Sequence, residues 1–166
     1  RIKATDQDGL SIQKSVSLGV RDVNETPTAI TLSSTSFNEN ITAASSVATL
    51  STTDADSSDT HTYSLVTGTG DTDNNSFTID GSSLKIKASP DYETKSSYSI
   101  RLQTTDSNGE TYAKAFTLSV SGVNETPSNI SLSSSSFNEN IASSSTVATL
   151  SSSDPDSSDT HTYSLV

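Results

Sequence analysis

The chain repeats itself at a fixed offset. "DADSSDTHTYSLV" starts at Asp54 and "DPDSSDTHTYSLV" at Asp154; "NETP" starts at Asn24 and Asn124, "SFNENI" at Ser36 and Ser136, "VATLS" at Val47 and Val147, each pair 100 residues apart and without gaps. Residues 1–26 align in the same way with 101–126. A repeat this long is a whole domain, not a rung of a solenoid. The chain therefore divides into the C-terminal part of one unit (1–26), a complete unit (27–126) and the N-terminal part of the next (127–166). With no initiator Met and both ends falling inside a unit, it is expected to be a window on a longer array. Neighbouring repeats would be its first partners.

Within the complete unit the hydrophobic period is two. "AITLSS", "SVATLS", "THTYSLV", "SFTID", "SLKIKA", "SYSIRLQTT" and "TYAKAFTLSV" alternate apolar with polar residues between Ser, Asp, Asn and Gly clusters. No stretch carries a helical period. Seven short strands in a domain of this size predict an all-β, immunoglobulin-like sandwich. "IDGSSLKI" predicts a hairpin at its Asp-Gly turn. The expected core is Ile30, Leu32, Val47, Leu50, Tyr63, Leu65, Phe77, Ile79, Leu84, Ile86, Tyr98, Ile100, Leu102, Phe116, Leu118 and Val120. Only 30% of residues are hydrophobic, which suits small sandwiches better than a large enzyme with a deep cavity.

The formal net charge is −11. Such a chain repels nucleic acid and anionic membrane and attracts cations. No apolar run is long enough to insert in a membrane, and with no cysteine there is no disulfide framework. The acids sit in loops at strand ends: Glu39; Asp54, Asp56 and Asp59; Asp91 and Glu93; Asp106; and Asp22 and Glu25 beside Asn24 in the linker. Calcium takes six to eight oxygens from such groups, and Asp-x-Asp can aim two carboxylates at one ion. Oxygen donors without Cys favour a hard cation over zinc. A lone Asp-x-Asp in a Ser-rich loop is more often a solvated turn. Five acidic clusters at strand ends in a fixed order favour the ion.

That order of motifs resembles a cadherin repeat, in the bacterial cadherin-like form found in tandem in large surface adhesins. The resemblance rests on "NEN" around Glu39, "DAD" at Asp54–Asp56, "DYE" at Asp91–Glu93, "TTDSNG" around Asp106, and "DVNETP" from Asp22 to Pro27. It covers the whole chain. It implies tandem seven-stranded Greek-key sandwiches with Ca2+ at each linker. The first junction would use Asp22, Asn24 and Glu25 with Asp54, Asp56 and Asp106. The second would use Glu39, Asp91, Glu93, Asn124 and Glu125 with Asp154 and Asp156. The linker departs from the family pattern: Glu-Thr stands where Asp-Asn is usual before the Pro, the linker is one residue shorter, and Asp22 becomes Gly122 in the second copy. One to three ions per junction are expected.

The resemblance implies an extracellular adhesin segment, stiffened by calcium, with homophilic contacts or surface glycans as further partners. Two other readings compete. One is a structural filament or layer built from the repeats; the other is a polysaccharide-binding module, for which exposed aromatics are few. No enzyme is expected. His61 and His161 repeat at one strand position and read as exposed structural residues, no nucleophile elbow occurs, and Asp91 with Glu93 reads as metal ligation more readily than as a glycosidase pair. "TGTGDTDNNS" from Thr67 reads as a surface loop, with an extra ion there the lesser alternative. Sequons such as those at Asn40 and Asn74 carry little weight in so Ser/Thr-rich a chain.

Overall fold

The computed structural model describes residues 1–166. Two four-stranded sheets pack face to face between Ala29 and Ser121. One holds β3 (Ala29–Leu32), β5 (Ser46–Thr53), β8 (Ser83–Ile86) and β7 (Phe77–Asp80), in that order. The other holds β4 (Ser36–Asn38), β10 (Thr111–Ser121), β9 (Ser97–Thr105) and β6 (Thr62–Leu65). The chain crosses between the two sheets after β3, β4, β5, β6 and β8, so the sheets are interwoven.

The alternation in the sequence becomes the two faces of each sheet. Ile100, Leu102 and Thr104 of β9 point inward, as do Leu84 and Ile86 of β8, and all five are almost wholly buried. The four apolar ones form one contiguous core with Ile30, Val47, Ala48, Leu50, Phe77 and Leu118. The other expected core residues, including Leu32, Tyr63, Leu65, Ile79, Tyr98 and Phe116, pack around it half-buried, and Val120 is buried. Ala48 joins the core because a bulge between Ser46 and Ala48 turns two successive side chains inward.

The predicted hairpin is present. β7 and β8 pair antiparallel from Phe77↔Ile86 to Asp80↔Ser83, and Gly81 turns the corner at φ 57°. One strand is additional to the seven patterns. β4 is three residues long and pairs in parallel with the end of β10 (Ser119↔Ser36 to Ser121↔Asn38). A strand this short shows no period, which is why "SFNEN" reads as loop. Its place matters for function: it carries Glu39 to the lower end of the sandwich, directly beside the outgoing linker.

The flanking segments repeat parts of this plan. β1 (Ile2–Thr5) and β2 (Ser11–Lys14) form a hairpin like β9–β10, and β11 (Asn129–Leu132) pairs with β12 (Leu150–Ser153) as β3 pairs with β5. Ile130 and Leu150, counterparts of Ile30 and Leu50, are 67% and 46% exposed. Residues 127–166 contain no counterparts of Leu84, Ile86 and Ile100 to cover them.

Candidate metal centre

The strand ends gather the acidic loops at the two ends of the sandwich. At the upper end, the loop after β5 carries Asp54 and Asp56, and the turn after β9 carries Asp106. Asp56 is 9% exposed and Asp106 6%. Asp56 Oδ2 accepts the Glu25 backbone N–H at 2.7 Å. Asn24 Nδ2 donates to Asp106 Oδ2 at 3.0 Å. Asp106 Oδ1 accepts the N–H groups of Asn108, Gly109 and Glu110, closing its turn. Burial pushes the Asp106 carboxyl up, but the Asn24 amide and those N–H groups win and hold it below the ordinary range. Glu25 is pushed up, first by the Asp56 carboxylate, then by desolvation and the charges of Asp22 and Asp54. Hydrogen bonds thus link Asn24 to Asp106 and Glu25 to Asp56, whose N–H is taken by Asp54, while Asp22 makes no such bond.

At the lower end, carboxylate oxygens of Glu39, Asp91 and Glu93 all lie within 4.8 Å of one another. Glu39 is 2% exposed, and its two oxygens accept the N–H groups of Tyr92 and Val123, each at 2.7 Å. Thr94 holds Asp91 below the ordinary range through its N–H and hydroxyl. Glu93 is pushed up, chiefly by burial and then by the charges of Glu39, Asp156 and Glu125. The following unit closes on this cluster: Asp156 Oδ2 accepts the Glu125 N–H at 2.6 Å, repeating the Asp56–Glu25 contact. Asp154 is two residues away and accepts nothing from the linker itself; its Oδ1 takes the Asp156 N–H. Asn124 turns its amide to the Glu25-equivalent carbonyl, Glu125 O, at 3.2 Å, and reaches neither sandwich.

Three neighbours of these acids were not expected at the site from the sequence. Asn40 Nδ2 donates to Glu125 Oε1 at 3.0 Å, and Asn108 Nδ2 donates to Asn24 Oδ1. The third correction concerns His61. It is not an exposed strand residue: its side chain is 14% exposed, just before β6, with Nε2 2.9 Å from Asp54 Oδ2. His161 repeats the contact with Asp154 at 2.8 Å. The histidine hydrogen bond holds Asp54 below the ordinary carboxylate range against the upward push of burial. Asn40 was legible in principle as the second Asn of a repeated "NEN"; Asn108 and His61 reach the site only through folding.

The donor set fits a hard cation. Lys and Arg make two ion pairs, Lys85–Asp80 beside the β7–β8 turn and Lys95–Asp73 at the lower edge of β9. None reaches a junction carboxylate. The ends thus hold crowded carboxylates, Glu39 buried and Asp91 and Glu93 exposed, with oxygen neighbours and no Lys or Arg, a donor set suited to a hard cation.

No protein-family profile matches the chain, and no curated protein does. Solved structures do. The fold is an immunoglobulin-like sandwich, and it is similar to that of cadherin extracellular domains. A protocadherin gammaB7 EC3-6 cis-dimer structure matches with TM-score 0.59 at 16% identity over 92% of this chain and 41% of that one. Protocadherin gamma B2 extracellular cadherin domains 1-5 match with TM-score 0.55 at 20% identity over 82% and 27%. The protocadherin gammaB4 extracellular domain matches with TM-score 0.53 at 24% identity over 92% and 25%. The chain spans less than half the length of each, and the likeness is one of fold.

Proposed function

We propose that this chain is a segment of an extracellular adhesion-type array in which calcium binds at each linker and stiffens it, as the stalk of a bacterial surface adhesin would require. The observation that carries the reading is the lower cluster: Glu39, Asp91 and Glu93 within 4.8 Å, facing Glu125 and Asp156, with no Lys or Arg among them. Glu39, Asp91, Glu93 and Glu125 would hold the ion from below and Asp154 and Asp156 from above. At the first linker Asp22, Asn24, Glu25, Asp54, Asp56 and Asp106 would do the same. The ion supplies the positive charge that lets the acidic ends approach. The protein's own part is to hold the carboxylates in register through backbone N–H bonds, so little ordering is left for the ion to impose. Contacts between copies, as in the protocadherin gammaB7 cis dimer, would then be made by a rod rather than a loose string.

Calorimetric titration with calcium, paired with melting in calcium and in chelator, tests this. Extracellular calcium modules bind at about 10⁻⁴–10⁻³ M. At 100-fold excess over Kd, binding adds about 2.7 kcal/mol. Saturable heat and a raised Tm, both lost on replacing Asp154 and Asp156 by Asn, are the expected result. Absence of heat and of a shift would remove calcium from the account.

A further inference from the structure

The residues of the linker are bound to opposite neighbours. In the second linker, Glu39 Oε1 takes the Val123 N–H at 2.7 Å, while its Oε2 takes the Tyr92 N–H at 2.7 Å. The Tyr92 ring lies against Gly122 so closely that a Cβ there would sit 3.2 Å from ring Cδ1. Gly122 and Val123 thus belong to the preceding sandwich. Two residues on, the Glu125 backbone gives its N–H to Asp156 of the following unit at 2.6 Å, while only its exposed side chain reaches back, accepting from Asn40 Nδ2 at 3.0 Å. The first linker shows how far that second grip extends: Glu25 gives its N–H to Asp56, and the Asn24 side chain is tied to Asp106 at 3.0 Å and accepts from Asn108. The backbone N–H of Asn124 donates to nothing.

We infer that the linker is a single-point hinge, pivoting on the backbone bonds that join Val123 to Asn124, and that the residues on either side stay seated when no cation is bound. Hydrogen bonds from backbone N–H to a carboxylate are among the stronger kind. The Tyr92–Gly122 contact adds an apolar seat that Asp22, the counterpart of Gly122, does not offer in the first linker. Between these grips only the soft φ and ψ rotations next to one planar peptide remain, restrained across the pivot by the exposed Asn40–Glu125 side-chain bond. The hinge refines the calcium reading, since the ion would act on this one pivot, but it is tested without cation and stands or falls separately.

The test is amide hydrogen exchange of the whole chain by NMR, first in chelator. The Val123 and Glu125 amides are expected to exchange at least about tenfold more slowly than in an unstructured peptide, with Asn124 between them near the unstructured rate. Glu39→Ala should release Val123 and Tyr92 but not Glu125. Asp156→Ala, which lies outside the complete sandwich, should release Glu125 but not Val123. Protection of Ile100 and Leu102 in β9 reports that the sandwich is intact in each variant. Free exchange of Val123 or Glu125 in the unaltered chain overturns the hinge, as does joint release of both by Asp156→Ala. Calcium that leaves every amide unchanged would sink the calcium reading and leave the hinge standing.

Discussion

The hydroxyl of Thr52 in β5 lies 2.8 Å from that of Thr104 in β9, joining the two sheets inside the sandwich. Thr104 is completely buried, and Thr52 also donates to the Tyr63 hydroxyl at 3.1 Å. The upper core is therefore closed by a short polar chain directly beneath the Asp54–Asp56 loop. Thr104→Val keeps the shape and removes one member. Thr52 retains Tyr63 as a partner, so the loss should be about 1 kcal/mol, not the larger penalty of an orphaned group. Adding Thr52→Val makes both ends of that bond apolar but also takes the donor from the Tyr63 hydroxyl, so it should recover little of the loss. Urea unfolding of the two single variants and the double variant measures this coupling.

Asp73 closes the lower edge of β9, where β6 has already ended. Its carboxylate accepts the Ser99 N–H and the Lys95 ammonium, each at 2.8 Å. Burial pushes its pKa up, yet Lys95 and Ser99 win and hold it below the ordinary value. A depressed acid contributes stability that is complete above its unfolded pKa, about 3.9, and that disappears as pH falls through the lower folded value. Asp73→Asn should therefore destabilise by about 1–2 kcal/mol near neutral pH, a figure already reduced for the exposure of Lys95. Below about pH 4 the gap between variant and parent should close. Denaturant midpoints across that range decide it, and a gap independent of pH would show that the carboxylate charge is irrelevant.

Gly70 sets how closely the loop from Thr67 can lie on the sheet. Its φ is +90°, and a Cβ there would fall 2.6 Å from Ala115 Cβ. Gly70→Ala meets both backbone strain and a clash, and should cost about 2–4 kcal/mol. Ala115→Gly in the same chain should restore part of the loss by removing the clash, leaving the strain. Melting temperatures of the three variants separate the two contributions.

Ala44 is the opposite case, a non-glycine residue at φ 65° in the turn that gives its N–H to Ile86 O at 2.8 Å. Ser144 repeats the conformation at φ 67°. Ala44→Gly relieves a left-handed penalty of about 1–2 kcal/mol and loses roughly half of that to added freedom in the unfolded chain. A net gain of about 0.5–1 kcal/mol is expected in chemical denaturation.

The strands and core were legible because they depend on a local alternation that burial only has to confirm. Ile100, Leu102 and Thr104 occupy one face by period alone. What escaped was set by tertiary geometry. β4 is too short to show a period and exists because β10 offers it an edge. The bulge at Val47–Ala48 depends on the register of β8. Among the site residues, the acids were visible as repeated loop motifs, since charge clusters need no fold to be noticed. Their partners were not: Asn108 and His61 meet Asn24 and Asp54 only once loops from different strands converge, and the capture of Val123 by Glu39 is a backbone contact that no side-chain pattern announces.

Glu93 distinguishes a cation site from a set of solvated turns. Glu93 is exposed, and its carboxyl is pushed up by local desolvation and by the nearby charges of Glu39, Asp156 and Glu125, so in the absence of an ion its charge is unfavourable at the junction. Glu93→Gln removes that charge while keeping the shape. In chelator the variant should melt above the parent, because a repulsion has gone. In saturating calcium the order should reverse, because calcium loses a carboxylate and its affinity falls about tenfold or more. A solvated turn would give no crossing: the two melting curves would keep the same order with and without the ion. Thermal melts of both chains in chelator and across a calcium series supply the comparison.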